Sequence, residues 1–301
     1  MTRRGAVLFA AMSLVWGVPY LFTAVAVAEL GPVPLVAGRL ALGAAVLVPL
    51  ALHRGALRAA WRHRWVVAAY AAVEMAVPWW LLSDAQQRVP SAFAGLVIAT
   101  VPLWGAGLAW GLHRERLGLV RAVGLLVGLA GVALLLGVDL AGGVDARAVG
   151  QLLAVALCYA VGPVLVARRL GAVPALGVNA LALALAAAVY VPLALVRPPE
   201  ALPSWPALGS VAVLGLVCTA LAFVLFFGLI AEVGAARATV ITYVNPAVAL
   251  LLGVVLLGER VSAGMAVGFP LVLIGSVLAT RSHPPVAEAA PVPEAPGGAT
   301  R

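Results

Sequence analysis

The sequence predicts an all-α membrane protein with ten transmembrane helices arranged as two inverted five-helix repeats. Three observations carry that prediction. The 301 residues are 64% hydrophobic and 10% charged, with a mean hydropathy of +1.12, whereas a soluble domain has about a quarter of its residues charged. Apolar runs of about 20 residues, the length that crosses ~30 Å of hydrocarbon, recur along the chain. The second half also repeats features of the first at an offset of 144 residues.

The apolar runs fall at 5–28, 34–52, 65–83, 91–112, 118–138, 148–168, 174–196, 207–231, 235–257 and 262–281. Each is expected to be helical, because a helix satisfies its own backbone polar groups in lipid. The first, at 24 residues, exceeds the apolar core of a signal peptide and reads as a span. The breaks carry turn or charge signals, among them Gly31-Pro32-Val33-Pro34, the stretch His53 to Arg64, Arg114-Glu115-Arg116 and Arg197-Pro198-Pro199-Glu200. The tail 282–301, with five prolines among alanines and glycines, is expected to be disordered.

All 19 basic residues are arginine. With residue 1 inside, 14 arginines fall on the cytoplasmic side and four (Arg88, Arg147, Arg197 and Arg260) on the other, while Arg39 lies within the second span. That bias predicts a multi-pass protein of the inner (plasma) membrane with both termini cytoplasmic. The net charge of +8 is thereby assigned to loop orientation. The arginines do not cluster beside stacking aromatics, so no nucleic acid partner is expected.

Residues 90–137 laid on 234–281 match at 13 of 48 positions without a gap. Pro102 meets Pro246, Glu115-Arg116 meets Glu259-Arg260, Gly124 meets Gly268, Gly131 meets Gly275, and the same shift pairs Pro19 with Pro163. With a short gap, Pro34 to Arg39 resembles Pro174 to Asn179. The repeats are therefore 5–138 and 148–281. An odd number of spans in each inverts the second copy, an arrangement common in secondary transporters.

Trp16-Gly17, Pro34 to Arg39, the pattern Ala92 to Pro102 closed by Arg114-Glu115-Arg116-Leu117, and Ala236 to Pro246 closed by Gly258-Glu259-Arg260-Val261 resemble the EamA-type ten-helix proteins of the drug/metabolite transporter superfamily. The first copy departs by carrying Arg114 where a glycine is usual. The resemblance covers residues 5 to 281. It implies export of a small organic solute (an amino acid, metabolite or drug-like compound) by alternating access. It also implies a central cavity lined by spans 3, 4, 8 and 9 with contributions from 1 and 6, and peripheral spans 5 and 10.

Glu74, mid-span in Tyr70-Ala71-Ala72-Val73-Glu74-Met75-Ala76-Val77-Pro78-Trp79-Trp80, is costly in hydrocarbon, by about 2.5–3.5 kcal/mol on insertion scales, and is expected to face the interior. It is a candidate for solute binding or proton coupling. Its counterpart at the 144 offset is Cys218, so the site is asymmetric. Tyr70 lies one turn before it. Pro19, Pro78, Pro102, Pro163 and Pro246 each free a carbonyl four residues back and are candidate helix breaks or gating points. Thr242, Tyr243 and Asn245 around Pro246 offer polar ligands or, equally, helix-to-helix hydrogen bonds. Trp16, Trp79, Trp104 and Tyr159 are candidate cavity walls. Arg39 is placed near enough the outer surface to extend toward water, with a structural or gating role.

No cofactor and no metal site is expected: Cys158 and Cys218 lack metal-ligand spacing, and the histidines lie at span ends or in the tail. The oligomeric state is not legible. A membrane-embedded enzyme or a non-transporting scaffold or receptor is the competing class, but no two acids share a span interior and no histidine lies deep. The sequence therefore reads as a secondary transporter, proton-linked or facilitative, with no enzymatic activity.

Overall fold

The computed structural model describes residues 2–113 and 118–280. The tail 282–301 and Arg114-Glu115-Arg116-Leu117 lie outside the described residues. Among the described residues, eight helices are long and apolar enough to cross a membrane: α1 (Arg3–Leu30), α2 (Pro32–His53), α3 (Arg64–Ala85), α4 (Ser91–Gly111), α5 (Leu119–Gly137), α6 (Ala146–Arg169), α7 (Ala175–Leu195) and α8 (Trp205–Val233). Two shorter apolar helices follow, α9 (Ile241–Leu257) and α10 (Ala263–Ala279). A short helix, Ala56–Arg62, links α2 to α3.

Side chains define several helix starts. The Thr2 hydroxyl accepts from Gly5 N at 3.0 Å, Asp145 from Arg147 N at 2.7 Å, and Ser262 from Met265 N at 3.0 Å, each satisfying an amide that the helix leaves without a partner. Gly258 ends α9 with φ +66°, a left-handed geometry that glycine adopts without a Cβ clash.

The expected ninth span, 235–257, is divided. Ala235–Ala238 forms one short helix and α9 begins at Ile241. Between them Val240 N, Thr242 N and Tyr243 N each bond a carbonyl three residues back, a tightened turn that interrupts the α-helical ladder.

Between lipid-embedded helices, packing fit rather than loss of water drives association, so small residues at contacts carry weight. The α5–α10 seam shows this. A Cβ on Gly131 would lie 2.7 Å from Val272 N, and one on Gly268 would lie 2.8 Å from Gly131 O and from Leu135 N. Gly124 abuts Leu278 and Ala279, and Gly275 abuts Gly128, so the two backbones run antiparallel in direct contact.

Other neighbouring pairs include α2 with α7, α4 with α9, α3 with α6 and α1 with α8, α4 with α6 and α9 with α1, and α2 with α8 and α7 with α3, while α1 also meets α4 and α2 also meets α3. One core joins Leu35, Leu40 and Leu47 of α2 to Met75 of α3, Leu183 of α7 and Leu214 of α8. Another joins Phe93 and Leu96 of α4 to Leu152 of α6, Ala249 of α9 and Phe269 of α10. Tyr159 of α6 packs against both.

Candidate functional site

Two helices leave α-geometry where the cores meet. In α3, residues Ala72–Ala76 form a π-helical turn, and in α8 residues Val213–Leu221 do the same. Such turns widen the backbone by a residue and are frequent at functional sites. The offset of 144 carries 72–76 onto 216–220, inside the second segment. In α8 the Thr219 hydroxyl donates to Leu214 O, five residues back, at 2.8 Å. In α3 the Ala76 carbonyl accepts from Tyr190 of α7 at 2.9 Å.

Glu74 occupies the π turn of α3. Its carboxyl lies against Gly162 of α6, where a Cβ would collide with Oε2. That oxygen is buried and makes no hydrogen bond among the described residues. Tyr70, Cys158 and Tyr159 surround it within electrostatic reach. Glu74 thus points into the bundle, toward the glycine preceding Pro163.

Arg39 does not extend to the surface. It is buried, its guanidinium carbon stands 3.7 Å from the Trp79 ring centroid, and its Nε donates to Thr219 Oγ1 at 3.1 Å. The physical reason is close helix approach. A Cβ on Gly38 would lie 2.6 Å from Val211, and one on Gly215 would lie 3.2 Å from Arg39 O. These glycines draw α8 against α2 and bring Thr219 within reach of the side chain. Tyr159, Tyr20 and Cys218 are its electrostatic neighbours. Tyr159 is therefore within electrostatic reach of both the acid and the cation.

The structure gathers Glu74, Tyr70, Trp79 and Tyr159 of the expected set, and adds Arg39, Thr219, Gly162 and Asn179. Tyr70 Oη donates to Asn179 Oδ1 at 3.2 Å, and Asn179 Nδ2 donates to Ala175 O at 2.9 Å. Asn179 is the residue that the gapped repeat pairs with Arg39, which was the one sequence signal for it. Thr219 and Gly162 carry no signal of their own in an apolar run.

The rest of the set lies elsewhere. Trp16 packs on Phe226 and Phe223, with centroids at 4.8 and 6.5 Å. Thr242 bonds Thr239 O at 2.8 Å, and Tyr243 joins Thr280 Oγ1 at 2.6 Å on α10. The Asn245 amide, turned so that nitrogen faces acceptors, donates to Ile241 O at 2.9 Å and Ser13 O at 3.2 Å. These are helix-to-helix and local bonds. Trp104 is 38% exposed.

The prolines divide likewise. Pro19 follows the turn at Val18, Pro78 follows the π turn, and Pro102 follows a turn at Ala99–Thr100. Pro163 and Pro246 sit inside continuous helices. Two surface hollows, of about 300 and 240 Å³, are lined respectively by Tyr243 with Leu273 and by Trp110 with Arg121. Neither reaches Glu74.

The model of the EamA-like transporter family matches residues 3–137 and 147–281. The uncharacterized inner membrane transporter YedA of Escherichia coli strain K12 is 29% identical over 279 residues, covering 90% of this chain and 88% of YedA. YedA of strain O157:H7 matches to the same extent. A solved crystal structure aligns with a TM-score of 0.65 at 26% identity, covering 93% of this chain and 97% of that one.

Proposed function

Because the chain belongs to the EamA-like transporter family, we propose that it is a secondary transporter of the inner membrane, moving a small organic solute outward by alternating access. Location follows that of the relative YedA, an inner membrane transporter, and outward direction follows the resemblance to family exporters. The ten apolar helices act as ten spans in two inverted five-helix units with both termini cytoplasmic.

The paired helix contacts support that arrangement. Exchange of the halves turns the α3–α6 contact into α8–α1, α4–α6 into α9–α1, and α2–α8 into α7–α3. The seam agrees as well: moving each residue by 144 into the other half turns the Gly128–Gly275 contact into Val272–Gly131.

One observation carries the mechanism: a mid-span carboxyl seated on a glycine between α3 and α6, with a buried guanidinium sharing its tyrosine neighbour. A carboxyl held away from water is suited to exchanging a proton for a solute group. Trp79 and Tyr159 supply the apolar wall. Helix motion at the π turns exposes the site to one side and then the other.

Proteoliposome flux tests this. Reconstituted wild-type chain is expected to move an amino acid or metabolite found by a resistance screen, with a rate that depends on the pH gradient. Glu74→Gln is expected to fold and lose that dependence. Flux of Glu74→Gln equal to wild type across the pH range would remove the proton role. An absence of solute flux in the wild type across the screened compounds would remove the transporter reading.

A further inference from the structure

The connection between α2 and α3 has a surface outside the site described above. From Leu52 to Trp65 the chain exposes Arg54, Arg58, Arg62 and Arg64, with Trp61 54% and Trp65 77% exposed. The segment is held in place. Ala56 and Ala60, one turn apart on the short helix, are buried in the core that α7 shares, and Gly177 of α7 abuts the Ala56 carbonyl, where a Cβ would collide. With the alanine face turned in, Arg58, Trp61 and Arg62 are left facing out.

None of these four arginines makes an ion pair among the described residues, and the sequence holds no acid between Glu29 and Glu74. The Arg64 guanidinium lies 5.9 Å from the Trp61 ring and 5.6 Å from the Trp65 ring. Loop orientation alone requires positive charge; it does not require an anchored helix that interleaves free arginines with two tryptophans. Tryptophan settles at the headgroup level of a bilayer, and arginine bonds phosphate oxygens in a planar fork.

We propose that Leu52–Trp65 is a binding surface for the phosphate headgroups of anionic phospholipids, with Arg58, Arg62 and Arg64 contacting phosphate and Trp61 and Trp65 seated in the adjoining acyl boundary. Each arginine near an anionic leaflet contributes about one kcal/mol, so three together correspond to about a hundredfold in affinity.

The test uses the full chain in neutral detergent, titrated with phosphatidylglycerol or with phosphatidylcholine and followed by native mass spectrometry. Phosphatidylglycerol is expected to bind at least tenfold more tightly, and the preference is expected to vanish in about 0.5 M salt, where charges are screened beyond ~4 Å. The variant Arg58→Gln/Arg62→Gln/Arg64→Gln is expected to lose about a hundredfold, and the opposite-end variant Arg197→Gln/Arg260→Gln is expected to lose nothing.

A preference unchanged by salt overturns the proposal without any variant. So does a triple variant that binds like wild type. Equal binding of free glycerol phosphate would assign the surface to a soluble phosphate ligand, and tighter binding of an RNA oligonucleotide would assign it to nucleic acid; either result also overturns the proposal.

Discussion

At corresponding places the two halves use the same helix pair for different chemistry. Where α2 meets α8, Arg39 donates to Thr219; where α7 meets α3, Tyr70 donates to Asn179. Arg39 and Asn179 are partners in the repeat, and the helix facing each of them carries a π turn, yet one junction holds a charge and the other is neutral. The π turn of α3 holds Glu74, whereas the matching position in α8 is Cys218. The backbone device is duplicated and its side chains are not. A near-symmetric backbone can therefore carry unlike side chains at its two matching places.

Breaking the shared scaffold gives the largest expected effect. Gly131→Leu places a branched side chain on the α10 backbone and is expected to destabilise the fold by about 3 kcal/mol. A lowered melting temperature in detergent checks it, and an unchanged value would mean that the seam is not closed in solution.

Gly162→Ala tests the junction where the halves differ. Its Cβ meets the Glu74 carboxyl, so transport is expected to fall at least tenfold while melting changes little. Full activity would show that the carboxyl does not need that seat.

Next in size, Thr219→Val leaves the buried Arg39 Nε without its acceptor, at an expected cost of about 1–3 kcal/mol. Its counterpart Tyr70→Phe removes one neutral hydrogen bond to Asn179, at about 1 kcal/mol. Chemical denaturation of the two variants side by side sharpens the comparison: equal losses would mean that the charged junction is no more demanding than the neutral one.

The apolar, all-helical character of the described residues was legible because its cause is local. Run length and hydrophobicity can be read one segment at a time, whereas loop charge and the 144 offset set the orientation and inversion proposed above. The site was legible only where a residue is costly on its own, as Glu74 is. Arg39 was placed near the surface because a long side chain near a helix end ordinarily reaches water; that Gly38 and Gly215 let α8 close over it is a property of two helices together. Thr219 and Gly162 escaped notice for the same reason. Asn245 and Tyr243 are polar, yet each is engaged by a neighbouring helix. Pro19, Pro78 and Pro102 each follow a turn or π geometry, but the long π segment of α8 contains no proline, and Pro163 and Pro246 sit inside continuous helices.

The α5–α10 seam has a consequence for what it can tolerate. Because it pairs Gly128 with Gly275 and also Gly131 with Val272, each strip carries both the tooth and the notch of the other. A side chain added at Gly131 or at Gly275 therefore strikes the opposite backbone in either case.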